Sequence, residues 1–258
     1  MDISFLCQTM LTLLKALPMT LALFSLSVAM GCILALVICW MRISGNPIVS
    51  GIAKGYIFIF RGSPLLIQMF LIFYGLGQFG FIRHSIVWPF LREPFICAVL
   101  SLALCDAGYS AEIFRGSIRA VSPKEIEAAR SIGMSGFLLV RRIIAPIALR
   151  HALPSYSTEV VLMMKSTALA SLVTVWEVTG VAQRLISQTY RTMEVFLCAA
   201  VIYLILNFII VQAFELLERY LSAHRRAPLS SSANTSTSKV SRRGDDRCTA
   251  ASVEGSNT

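Results

Sequence analysis

Apolar residues run along this chain without a charge for far longer than one face of an amphipathic helix requires. Ala16 to Met41 is a charge-free run of 26 residues, Gly62 to Ile82 one of 21, and Val195 to Phe214 one of 20. Two further runs are broken only by isolated charges: Pro94 to Ala111 by Asp106, and Ala152 to Trp176 by Glu159 and Lys165. About 20 residues of helix cross the ~30 Å hydrocarbon layer of a bilayer. The pattern therefore predicts an all-α integral membrane domain over residues 1–226, with five transmembrane helices at about 16–41, 56–80, 94–112, 152–176 and 195–216. Gly75, Gly77 and Gly80 suit close helix packing, and Trp88, in an outer loop marked by Pro89 and Pro94, suits an interfacial anchor.

Composition agrees with this reading and excludes a soluble domain. Hydrophobic residues make up 56% of the chain and charged residues 14%, against about 25% charged in soluble proteins. Asp2 precedes Lys15 and the apolar run behind it is too long for a secretory leader, so no cleavage is expected. Beyond about Pro228 the chain turns to Ser, Thr, Ala, Gly and Arg, which cannot bury enough surface to offset ordering entropy. A disordered, basic, Ser/Thr-rich cytoplasmic tail is expected over 227–258. Most of the seven cysteines lie in or beside apolar runs, where a thiol acts as a small hydrophobe.

The net charge of +9 does not indicate nucleic acid, because the basic residues are scattered among apolar spans. It sets topology instead. Of the 23 Lys and Arg residues, 17 fall in alternate segments: 42–61, 115–150 and 219–247. The opposite segments hold Lys15, Arg83, Arg92, Arg184 and Arg191. Cytoplasmic loops carry the excess of basic residues, so the N-terminus is expected outside and the C-terminus inside.

The longest connection, about 113–151, reads as two short helices. Ser122-Pro123-Lys124-Glu125 places a hydroxyl at the N-cap, Pro at the first helical position and Glu at the third, which predicts reciprocal capping. The helix should run through Ile132 and stop at Gly133 in a left-handed cap. Ser135 should cap a second helix that Pro146 ends or kinks.

Glu127-Ala128-Ala129, followed by Gly133, Ile143 and Pro146, resembles the Glu-Ala-Ala coupling loop of permease subunits in bacterial ATP-binding-cassette importers. Phe60-Arg61-Gly62-Ser63-Pro64-Leu65, Glu112-Ile113-Phe114-Arg115-Gly116, and Leu153-Pro154 with Glu159 and Lys165-Ser166-Thr167 resemble the polar amino acid branch, in particular permeases for histidine, lysine, arginine and ornithine and for opines. Ala145 stands where the family has Leu, and Ser166 where many members have Asp. The resemblance covers roughly residues 15–220. It implies a type I importer fold at the inner membrane, in which Glu127, Ala128, Ala129, Gly133, Ile143 and Pro146 dock on the ATPase. Implied partners are an ATPase dimer, a second, non-identical permease subunit, a periplasmic solute-binding protein and membrane lipid, with no nucleic acid. No cofactor is expected in this chain: it contains no Gly-Lys dipeptide, so it lacks the lysine-bearing phosphate loop, and ATP would be bound by the separate subunit.

Ionisable groups inside spans are costly and face a cavity or a partner. Asp106 lies roughly 9 Å from the inner end of the third span and Glu159 about 10 Å from that of the fourth, at ~1.5 Å per residue. The two acids share a level, and Ser166, seven residues from Glu159, shares its helical face. A polar transport path for a cationic solute is one reading. The other is structural: Asp106 would cap a break near Gly108 or pair with a basic residue. Lys165 is expected to snorkel or pair internally. The three histidines (84, 151, 224) lie far apart and no His-Glu-x-x-His occurs, so neither a zinc site nor an enzyme is expected. The rival function is an ATPase-independent secondary transporter or channel, in which the 113–151 loop would merely connect.

Overall fold

The computed structural model of the chain describes residues 3–86 and 88–222, and among these every regular element is helical. In order they are α1 (Ile3–Ile43), α2 (Pro47–Gly62), α3 (Leu65–Phe70), the short α4 (Gly80–Arg83) and α5 (Trp88–Leu91), α6 (Pro94–Arg119), α7 (Pro123–Ser131), α8 (Gly136–Leu139), α9 (Ala145–Ser166), α10 (Val178–Thr189) and α11 (Thr192–Ser222). The tail expected at 227–258 lies outside the described residues.

Three helices are long and apolar enough to cross a membrane: α1, α6 and α11. The other two expected spans are bent. α2 and the segment Leu65–Gln78 meet at 104°, and Gly136–Val173 meets α10 at 49°. The unbroken span expected at 56–80 is therefore corrected. Pro64 lacks an amide hydrogen and pushes Ser63 into extended backbone (φ −104°, ψ 144°). The carbonyls freed at this break are met by one side chain, since the Gln68 amide donates to the carbonyl oxygens of Phe60 and Ser63, each at 2.9 Å.

The expected boundaries of the other spans also move. α1 starts 13 residues earlier than 16 and has 41 residues, about 60 Å of helix at ~1.5 Å per residue. Its N-terminal extension holds Gln8, Thr9, Thr12 and Lys15, which masked it as a span. It is nevertheless held by packing, because Leu13 and Ala16 join a core with Val178 and Ala182 of α10 and Val195, Cys198 and Ile202 of α11. α6 runs unbroken past Gly108 to Arg119, so Asp106 caps no break and the loop begins later than 113. Pro146 does not end a helix either. A π-helical turn at Val140–Ile144 joins α8 to α9, and this widened turn takes up the geometry ahead of a residue that cannot donate a backbone hydrogen bond.

Small residues let the helices approach closely, as association in hydrocarbon demands. Ala35 and Ile38 of α1, Ala53 and Ile57 of α2, and Ala107 and Ala111 of α6 form one core. Leu23, Met69, Ala98, Leu102, Met163 and Val173 form another, between α1, α3, α6 and the α9 segment. At one end of the α1–α6 pair, Glu112 accepts from Arg42 Nε at 3.2 Å and from Arg115 Nε at 2.8 Å.

Candidate functional site

Pro94 starts α6 and Pro154 lies in the interior of α9, about two and a half turns from its start, and between these helices and the break at Ser63-Pro64 opens a cavity of about 440 Å³. Its lining includes Arg61, Asp106, Tyr109, Glu159 and Ser166. The three residues expected to share a level and a face are thus brought together. They are not equivalent. Glu159 is half-buried, and none of the described basic residues lies within ion-pair distance of it. Asp106 is buried, at 1% exposure, with Oδ1 accepting from Ser110 Oγ at 3.0 Å. Its Oδ2 has no hydrogen-bond partner and lies against Gly31 of α1. The internal pairing of Asp106 with a basic side chain is therefore absent among the described residues. Ser166 lines the cavity, and its Oγ donates to the Leu162 carbonyl at 2.9 Å.

Arg61 is the residue that sequence reasoning misplaced, having been counted with the basic loop segments. It closes α2 at the break, with its guanidinium carbon 4.9 Å from the centre of the Tyr109 ring. Gly108 of α6 lies against it, since a Cβ there would stand 3.4 Å from Arg61 Cγ, in ordinary contact. The Tyr56 hydroxyl donates to the Leu104 carbonyl at 2.7 Å and ties α2 to α6 beside it. The signal was present in Phe60-Arg61-Gly62-Ser63-Pro64, but nothing local says that the chain turns there and carries the arginine to the acids. A carboxylate and a guanidinium across one small cavity can bind the two ends of a zwitterion. Lys165 stays outside this group, exposed and without an ion pair among the described residues. Trp88 lies over Gly77: a Cβ on that glycine would come within 2.9 Å of the indole.

The second expected site, the loop helix, forms as α7. Gly133 has φ +83°, its amide donates to Arg130 O at 2.9 Å and the Met134 amide to Ala129 O at 3.1 Å, the paired bonds of a Schellman stop. At the other end Ser122 does not supply its half of the capping box. The Glu125 amide bonds the Ser122 carbonyl at 3.1 Å, so the hydroxyl of Ser122 makes no cap hydrogen bond. Ser135 likewise occupies the N-cap of α8 without a side-chain bond. Glu127 and Ala128 are exposed and Ala129 is buried, while Ile143 and Pro146, on the following helical stretch, are half-buried. Next to α7, Ile132 and Phe137 are 71% and 78% exposed, an apolar surface beside the motif.

One buried acid escaped notice because it falls just outside an apolar run. Glu177 is fully buried and caps α10, accepting from the amides of Thr179 and Gly180 at 2.8 Å each and from the Tyr203 hydroxyl at 2.7 Å. Thr20 of α1 accepts from the Val178 amide at 3.1 Å, so the bend after Val173 is tied to both α1 and α11. Among the described residues, no group of three His, Cys, Asp or Glu side chains is placed to hold a metal ion.

Comparison with known proteins gives one answer from sequence and structure. The sequence model of the family described as "Binding-protein-dependent transport system inner membrane component" matches residues 27–222. The octopine transport system permease protein OccM of Rhizobium radiobacter is 51% identical over 225 residues, covering 87% of this chain and 92% of that protein. The histidine/lysine/arginine/ornithine transport system permease protein HisM of Salmonella typhimurium is 39% identical over 206 residues, covering 80% and 88%. Among solved structures, the crystal structure of an amino acid ABC transporter with histidines superposes with a TM-score of 0.76 at 34% identity, covering 85% of this chain and 99% of the other.

Proposed function

The chain belongs to the family of inner membrane components of binding-protein-dependent transport systems, and from that membership we propose that it is the permease subunit of an ATP-driven importer for cationic amino acids or opines. The single observation that carries the cargo is the cavity itself, which sets the half-buried Glu159 and the Arg61 guanidinium around one space of about 440 Å³. A solute with a cationic side chain and a carboxylate matches both. The names of the relatives, an octopine permease and a histidine, lysine, arginine and ornithine permease, support the same class.

In this reading α1, α6, α11 and the two bent segments make five spans, with the N-terminus outside and the C-terminus cytoplasmic, as the basic asymmetry favours. The partners are two ATPase subunits, a non-identical second permease, a solute-binding protein and the surrounding lipid. ATP is bound on the ATPase chains. Closure of their dimer pushes on α7, whose residues Glu127, Ala128 and Ala129, with Gly133, Ile143 and Pro146 behind them, transmit the motion. Small alanines let the two backbones approach. α6 leads into α7 with only a three-residue connection, and α9 follows α8 through the π-helical turn, so a displacement of α7 reaches both walls of the Asp106–Glu159 cavity. Alternate opening of that cavity moves the solute.

Uptake of radiolabelled arginine, histidine and octopine, in a strain deleted for this gene and complemented with it, tests the reading. Uptake should need the ATPase and binding-protein genes. Accumulation that persists without the ATPase gene would replace it with a secondary transporter or channel.

A further inference from the structure

A second polar cavity, of about 300 Å³, lies between the 3₁₀ turn that follows α9 and the exposed face of α10. Its lining includes Ser171, Thr174, Trp176, Gln183, Arg184 and Ser187. Three independent observations mark it. Thr174 is β-branched yet held at φ +62°, a conformation such residues rarely adopt and which clusters where function requires it. Arg184 rests its guanidinium on the Trp176 ring, 5.4 Å from the centroid. No acidic side chain lines the cavity, and none of the described acids pairs with Arg184. Gly180 lets α10 close up on the turn, because a Cβ there would stand 2.5 Å from the Val175 carbonyl oxygen.

We infer that this cavity is an outer carboxylate-recognition site, in which Arg184 receives the carboxylate end of the solute before it passes to the Glu159 cavity. The guanidinium offers planar paired donors to a carboxylate, stacking on Trp176 fixes its plane, and Gln183 adds a donor, one of whose hydrogens already meets Ser171 Oγ at 3.4 Å. A concave site with an aromatic wall suits a small solute. This rests on the proposed reading of the chain as a permease for carboxylate-bearing cations, with Arg184 on the outer side.

The test uses the assembled permease and ATPase complex without binding protein, with Trp176 as its only tryptophan. Millimolar L-arginine and octopine should each change the Trp176 emission. Agmatine, which keeps the guanidinium of arginine and lacks the carboxylate, should not. Arg184→Gln should raise the half-saturating arginine concentration at least tenfold, and Arg184→Lys should lie between. Glu159→Gln should leave the response intact whatever it does to uptake, so failure of the central cavity as a path is seen separately. An equal response to agmatine, an unchanged response in Arg184→Gln, or no response to any solute overturns the inference. So does a response to solute-free binding protein with none to arginine, since the carboxylate would then come from a docking surface.

Discussion

Oδ2 of Asp106 fills the space above Gly31, where a Cβ would lie 2.2 Å from it. The contact puts a buried carboxylate at the α1–α6 interface, so position 31 tolerates no side chain while Asp106 stays. Gly31→Ala should destabilise the purified complex by about 1–3 kcal/mol through overpacking. Combining it with Asp106→Ala should recover most of that loss in a thermal unfolding measurement. Additive losses would show that the two residues do not compete for one space.

Glu159→Gln keeps the shape of the side chain and removes its charge. Uptake of arginine and octopine should fall at least tenfold, with complex assembly and the solute affinity of the binding protein unchanged. Asp106→Asn, buried and turned toward α1, should affect uptake less than Glu159→Gln does. Wild-type uptake by Glu159→Gln across solute concentrations would make it a structural acid.

Glu127→Lys reverses charge on the exposed face of α7, and Gly133→Val puts a β-branched residue at φ +83°, at a cost above about 1–2 kcal/mol. Both variants should insert normally. ATP hydrolysis in proteoliposomes should no longer rise on addition of liganded binding protein. Normal uptake by both at normal expression would remove α7 from coupling.

Glu177→Ala leaves two amides and the Tyr203 hydroxyl without their acceptor, and should cost at least about 2 kcal/mol. Glu177→Gln retains one acceptor oxygen and should cost less. The melting temperatures of the two variants rank the losses, and wild-type temperatures for both would mean that the cap contributes nothing.

Alkaline phosphatase fused after Ala227 should be inactive in a stable fusion, because that position is cytoplasmic in the proposed topology. High activity there would invert the topology or change the number of crossings.

The sequence by itself determined the membrane class, the two acids at one level and the stop of α7 at Gly133. These depend on properties readable within a few turns of chain: the length of an apolar run against a bilayer, the rise of a helix, the freedom of glycine at positive φ. Ser122 shows how local reasoning fails even there, since its own carbonyl took the amide meant for its hydroxyl. Only the tertiary structure decided that the 56–80 segment breaks at Ser63-Pro64, because Gln68 meets the opened carbonyls and makes the break tolerable in an apolar setting. That break carries Arg61 across to Glu159, and the bend at Glu177 sets Arg184 over Trp176. The residues that line each cavity lie dozens of positions apart, or on opposite sides of a turn, so their grouping is fixed by how helices pack, which no periodicity along one helix records.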